Sequence, residues 1–211
     1  MDVTRLSREE ESRNDPGIIG RNAGDAGGPS YGLYQFATNM GTPAAFVDWL
    51  IAQNYPYGYS LSDSGAPGSW SFDETWKAIA NTEAEQFAAL QTEFARLMYY
   101  NPAAEFAAEV GIYLNKHSEA LSNAVFSAAI QHGPGNITCL FNEAANALGY
   151  PNATYIDNIA FDADIIRAIY DIRGTDDWTA ASPALRPGIR ARFERECQAA
   201  LVMLESEAGT A

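Results

Sequence analysis

Apolar positions recur at three- and four-residue intervals along most of this chain, the spacing of one buried helix face. Phe87, Leu90, Phe94, Leu97 and Met98 form one such stripe. Phe46, Trp49 and Leu50 form another after Thr42-Pro43, where proline suits a first helical turn. The pattern predicts a first helix over residues 3–12 and later ones over 102–115, 118–131, 136–148, 162–171 and 187–205. Ser71 is expected to cap a helix through Trp76 and Ile79. Thr82 with Glu85 three residues on reads as a capping box for the helix of the first stripe.

The period breaks between residues 13 and 37, where Gly17–Gly20 and Tyr31–Phe36 are the candidate strands of a small hairpin. Residues 54–71, rich in Tyr, Gly, Ser and Pro, read as a long loop in which Tyr55, Tyr57 and Tyr59 line a groove or cover a core edge. Gly133-Pro134-Gly135 is a sharp break between two helices. No internal repeat or linker is visible. The expectation is a mainly α (α+β) fold in one domain over residues 1–211, with a small β hairpin near the N-terminus.

Composition narrows the role. At 47% hydrophobic the 211 residues can bury a substantial core, and 12% aromatic with 19% charged residues argues against disorder. A net charge of −14 without any basic cluster argues against nucleic acid. No apolar run reaches membrane-span length, and no apolar segment follows Met1-Asp2-Val3-Thr4-Arg5 as a signal peptide would require. Cys139 and Cys197 lack the close partners of a zinc or redox motif; they read as free thiols, or as a disulfide if their helices are neighbours. Two histidines without acids at ligand spacing make a poor metal site, so neither metal nor cofactor is expected.

The candidate chemistry lies near the start. Glu11 ends the first helix, and Asp25 follows in a glycine-rich stretch before Ser30-Tyr31-Gly32-Leu33-Tyr34-Gln35. Two carboxylates on separate elements are what glycosidic-bond cleavage needs. One must stay protonated near neutral pH through partial desolvation, and the other must stay ionised. Helical spacing from Val3 and Leu6 aims Glu10 inward, so Glu9, Glu10 and Glu11 leave the acid open between Glu10 and Glu11. Strand alternation puts Tyr31 and Gln35 on one face, toward a substrate, with Tyr34 on the other. Ser30 is a candidate to hold a water, and Trp70 is the tryptophan best suited to stack on a sugar. Gln131 and His132 close a helix and are candidate substrate contacts, with a C-terminal cap as the competing role for His132. Arg173, Arg192 and Glu196 read as an internal salt-bridge network.

Collinear stretches carry a resemblance across nearly the whole chain. They are Glu11-Ser12 with Gly17; Gly24-Asp25 through Gly27-Gly28 to Ser30-Tyr31-Gly32 and Tyr34-Gln35; Gly41-Thr42; Phe72-Asp73 with Trp76-Lys77; Gln91 with Phe94; Tyr100-Asn101-Pro102; Gln131 to Gly135; Asp171 with Arg173; and Arg192-Phe193 with Glu196. The chain resembles the lysozyme-like, chitosanase-like peptidoglycan hydrolases of prophages and VgrG-related secretion proteins. The resemblance implies a bilobal helical fold whose catalytic acid sits at the Glu-Ser step, which selects Glu11; the family's aromatic residue is replaced by Glu10 here. It implies a muramidase-type glycosidase with Asp25 as second carboxylate, acting on peptidoglycan glycan strands in the periplasm or cell wall. The protein would be made in the bacterial cytoplasm and delivered by phage or secretion machinery, with a phage tail, secretion-spike or immunity protein as partner. A lytic transglycosylase, a chitosanase and a non-catalytic wall-binding module remain alternatives.

Overall fold

The computed structural model of the chain describes residues 2–12, 14–21 and 27–209, apart from the side chains of Glu9, Glu10 and Glu11. The fold is mainly helical with one small antiparallel sheet near its start. Helices α1 (Arg5–Ser12), α2 (Thr42–Ala52), α3 (Pro56–Asp63), α4 (Trp70–Thr82) and α5 (Ala84–Ala95) come first. A π-helical turn over Arg96–Tyr100 leads to α6 (Asn101–Glu109), followed by α7 (Glu119–His132), α8 (Ile137–Ala147), α9 (Asp162–Arg173) and α10 (Arg186–Ala208). Among the described residues no helix is long and apolar enough to cross a membrane.

The chain divides into two compact units, Arg8–Arg96 and Met1–Ser7 with Leu97–Ala211. One boundary falls inside α1 and the other at the π-helical turn.

The Arg8–Arg96 unit is built on aromatic rings. Phe36, Phe46, Phe72, Trp76 and Phe87 are fully buried, and Trp76 meets Phe87 edge-on at 4.8 Å. Its sheet runs in the order β1 (Ile19–Gly20), β2 (Ser30–Tyr31), β3 (Phe36–Ala37), pairing Ile19 with Tyr31 and Tyr31 with Phe36. The strand expected over Tyr31–Phe36 is therefore two two-residue strands joined by a turn. Gly32 at φ 69° and Gln35 at φ 49° turn the chain where an extended strand would continue. A left-handed residue cannot keep the period-two alternation, so Tyr31 and Gln35 do not share a strand face. The aromatic expectation inside the turn holds for Tyr34, which is buried with its hydroxyl 2.9 Å from Thr92 Oγ1.

Residues 54–71 are not one loop, because α3 occupies their middle with proline in its first turn. Tyr55 and Tyr57 pack beside Trp49 and Phe87, while Tyr59 is exposed. Ser69 rather than Ser71 caps α4, accepting the Phe72 N–H at 3.3 Å. The Thr82–Glu85 capping box does not form: Thr82 bonds back to the Ala78 carbonyl at 3.0 Å and ends α4. Leu97 and Met98 leave the α5 stripe at the π-helical turn and are exposed.

The other unit is packed with small and aliphatic residues, among them Ala103, Ala107, Ala124, Ala128, Leu140, Ile165 and Ile169. The chain start docks here through Asn123, whose Oδ1 accepts the Leu6 N–H at 3.2 Å and whose Nδ2 donates to the Asp2 carbonyl at 2.9 Å. Ser118 caps α7, and Glu207 of α10 adds a carboxylate that accepts the Glu119 and Ala120 N–H groups, each at 2.9 Å. Those N–H groups have no partner inside the helix, and the α7 dipole favours an anion there. Cys139 and Cys197 are both free thiols.

Candidate functional site

Glu11 falls in the last turn of α1, as the sequence predicted. Its side chain and the whole of Asp25 lie outside the described residues. The structure does define the frame that carries this stretch of chain. Ser12 is buried, its Oγ donating to the Arg8 carbonyl at 3.0 Å. Asp15 N–H returns to the Ser12 carbonyl at 3.1 Å, and Asn14 takes a left-handed φ of 63°. The chain after α1 is thus turned sharply within three residues.

It is then gripped from beneath. The Pro16 carbonyl accepts from Trp76 Nε1 at 2.9 Å and from Gln91 Nε2 at 3.0 Å. Gln91, fully buried, also accepts the Leu33 N–H at 2.8 Å. One side chain of α5 therefore ties the segment after α1 to the turn after β2. Gly32 makes this contact possible, because a Cβ there would stand 2.2 Å from Gln91 Oε1.

A second tie involves Asp73, buried in the first turn of α4. Its Oδ1 accepts the Tyr31 hydroxyl at 2.6 Å, and its Oδ2 pairs with Arg21, which also reaches the Gly68 carbonyl at 3.2 Å. The hydrogen bond to Asp73 raises the Arg21 pKa, and burial followed by the same carboxylate raises that of Tyr31. The phenol oxygen accepts the Gly68 N–H at 2.7 Å. On either side of residues 22–26, Arg21 is tied to Asp73 and the Gly27 carbonyl accepts the Asn39 N–H at 2.9 Å.

Against this frame the residues singled out earlier separate. Ser30 Oγ donates to Gln35 Oε1 at 2.6 Å, and Gln35 Nε2 donates to the Gly32 carbonyl at 3.0 Å. These two half-exposed side chains form one polar pair at the sheet. Tyr31 lies in the core with its hydroxyl committed to Asp73 and Gly68, so its hydroxyl joins the sheet to the start of α4. Trp70 opens α4 and is 77% exposed, the most exposed large apolar side chain among the described residues. The ties made by Asp73, Arg21 and Gln91 were not assigned in sequence. Their signal was a polar residue inside an apolar stripe, as Gln91 stands between Leu90 and Phe94.

Gln131 and His132 belong to the other unit, at the end of α7. Gln131 Oε1 accepts from Arg173 at 3.3 Å. Arg173 is fully buried; it donates to Ser127 Oγ at 3.1 Å and lies 3.9 Å from the buried Glu196. Glu196 accepts from Ser127 at 2.6 Å and Arg192 at 2.6 Å. Burial opposes the Glu196 charge, but Arg192 and Arg173 outweigh it and lower its pKa. The expected salt-bridge network is what these residues form. The α7 C-cap is Gly133, and the His132 ring packs edge-on against Trp178 at 5.0 Å. Burial, with Arg173 and Arg192 nearby, pushes the His132 pKa down to about 3, so its imidazole is neutral. Among the described residues no cluster of three or more His, Cys, Asp or Glu could hold a metal ion.

The profile of a family described as type VI secretion system spike protein VgrG3-like, C-terminal, matches residues 3–197. The type VI secretion system spike protein VgrG3 of Vibrio cholerae serotype O1 is 25% identical over 194 residues, 91% of this chain. The chain spans 18% of that relative's length. Two solved structures share the fold. A chitosanase complex superposes with a TM-score of 0.60 at 19% identity, over 86% of this chain and 79% of that one. Native chitosanase from Bacillus subtilis MY002 gives 0.61 at 20% identity, over 99% and 89%.

Proposed function

Because this chain belongs to the VgrG3-like C-terminal family of type VI secretion spike proteins, we propose that it is a glycosidase domain that hydrolyses the β-1,4 glycan bonds of peptidoglycan. One observation carries the reading: the family match runs over a chitosanase-like fold whose first helix closes on Glu11-Ser12. In this reading Glu11 is the general acid that protonates the leaving oxygen. Asp25, on a polar glycine-rich stretch, stays ionised and either directs a water or stabilises the oxocarbenium-like transition state. Ser30 and Gln35 present a hydroxyl and an amide to the sugar or its water, and Trp70 offers an exposed ring for stacking. Tyr31, Asp73 and Gln91 are positioning residues that keep the loop in place. The domain travels with a secretion spike and acts on the wall beyond the cytoplasm.

The test is digestion of purified peptidoglycan with products separated by mass. Wild type should release muropeptides with reducing ends, and Glu11→Gln should lose roughly 10²- to 10⁴-fold in rate, the usual worth of a general acid. Glu10→Gln should keep most activity; the reverse result moves the acid to Glu10. Products with 1,6-anhydro ends would make the enzyme a lytic transglycosylase. A second reading, cleavage of chitosan, is favoured by the net charge of −14, which attracts a cationic polymer. Release of glucosamine oligomers with peptidoglycan left intact would establish it. Binding to either polymer, equal in wild type and Glu11→Gln and without cleavage, would make the domain a wall-binding module.

A further inference from the structure

In the unit that contains α7, a cavity of about 310 Å³ opens beside the end of that helix. His132, Asn136, Cys139, Glu143, Asp177 and Trp178 line it. Its wall is aromatic, with Trp178 edge-on to His132. Its charge has one sign. Glu143 and Asp177 supply two carboxylates, and among the described residues no lysine or arginine lines the space. The neighbouring guanidiniums are engaged elsewhere: Arg192 and Arg173 with Glu196, Arg186 and Arg190 with Asp176. His132 brings a neutral ring whose Nε2 is buried without a hydrogen-bond partner among the described residues. Glu143 is held in place, accepting from Trp178 Nε1 at 2.9 Å and from the Cys139 thiol at 3.0 Å.

We propose that this cavity is a binding site for a primary ammonium group. Carboxylates on two segments offer charge-assisted hydrogen bonds, the indole of Trp178 supplies an aromatic wall, and the amide oxygen of Asn136 is a further acceptor. A neutral or anionic ligand would meet the two carboxylates with no counter-charge. The cavity along α9 and α10 has no such preference, because Arg167 and Arg190 face it together with Asp171 and Glu194. In a wall polymer an ammonium comes from a deacetylated amino sugar or from the free amine of a peptide side branch. That choice of source rests on the glycan-cleaving reading above; the site itself does not.

The indole N–H resonance of Trp178, assigned by its loss in Trp178→Phe, reports on occupancy. Glucosamine and N-acetyl-lysine methylamide, both cationic, should shift it, and N-acetylglucosamine should not. Asp177→Asn, at an exposed position, should weaken the cationic probes about threefold, and its combination with Glu143→Gln about tenfold. The amide oxygen introduced by Glu143→Gln can still accept from Trp178 Nε1, and an unchanged melting temperature shows that the fold is intact. An equal shift from the neutral sugar, no shift from either cation, or full affinity in the double variant overturns the proposal. In a Glu11→Gln background, tighter binding of a glucosamine tetramer than of the lysine amide identifies the sugar as the source, and the opposite order identifies the peptide. Cleavage is scored separately, so loss of the glycosidase reading and loss of the ammonium site appear as different results.

Discussion

The two units solve the same packing problem with different materials. In Arg8–Arg96 the backbone is irregular, with two-residue strands and left-handed turns at Asn14, Gly32 and Gln35. Large rings fill the uneven space, and neutral or singly charged side chains such as Gln91, Trp76 and Asp73 satisfy backbone and loop groups that no helix or sheet can pair. In the unit around α7 the helices are regular and alanine lets them approach closely. There buried charged groups join elements far apart in the chain, as in Arg173–Glu196 and His117 between Asp157 and Asp162. Regular backbone satisfies itself, which leaves side chains free to specify how helices meet. Irregular backbone needs side chains for its own hydrogen bonds.

Breaking the charged network should therefore cost most. Glu196→Ala leaves Arg173 buried without its carboxylate partner and should lower stability by about 3–5 kcal/mol in chemical denaturation. Adding Arg173→Met should recover much of that loss, since an apolar replacement removes the stranded charge. A double variant as unstable as the single one would show that the pair itself stabilises the fold.

In the aromatic unit Gly32→Ala combines the left-handed penalty of about 1–2 kcal/mol with a collision against Gln91. Gly41→Ala, at φ 73° with nothing within 4 Å of its Cβ, isolates the penalty alone. Equal thermal shifts for the two would mean that the Gln91 contact carries nothing. Gln91→Leu removes the acceptor of the buried Leu33 N–H and should cost about 1–3 kcal/mol. It should also lower the cleavage rate if the Pro16 tie positions the end of α1; Gln91→Glu keeps the acceptor for Leu33 but loses the donor to Pro16, so a rate restored together with stability would argue against that role.

The last comparison is the effect of pH on the two histidines. Burial opposes charge on His117, but hydrogen bonds and charge from Asp162, at 2.6 Å, and Asp157, at 3.1 Å, raise its pKa above the ordinary 6.5. Its stabilisation is present below pH 6.5 and is lost as pH rises through the folded-state value. For His132, lowered to about 3, the sign reverses: stability is full above pH 6.5 and declines as pH falls toward 3. The difference in stability between wild type and His117→Gln should shrink on the alkaline side, and that between wild type and His132→Phe on the acid side. Lys116 shares Asp157 with His117, pairing with it at 2.9 Å.

Much of this was legible in the chain itself. Helical periodicity located α2, α7, α8, α9 and α10 to within a few residues, because an amphipathic stripe records which face is buried. The helical period placed the end of α1 near Ser12, and the Arg173, Arg192 and Glu196 network was readable from residue type, whereas the choice of Glu11 over Glu10 came from the family resemblance alone. Short-range signals failed where a local motif had a tertiary competitor. The Ser-Tyr-Gly-x-Tyr-Gln run alternates like a strand, yet Gly32 and Gln35 turn it so that Tyr31 reaches Asp73 and Leu33 reaches Gln91. Thr82 and Glu85 match a capping box, yet Thr82 closes the helix before it.

The amino-acid order thus determined the helical class, the helix faces and the chemical inventory near α1. Those properties depend on neighbours within one or two turns. Only the tertiary structure decided that Tyr31 is a buried tether, that Gln91 joins Pro16 to Leu33, and that an anionic cavity forms at Trp178. Each of these joins residues far apart in the chain, and a hydrogen bond between them exists only once the whole unit has packed.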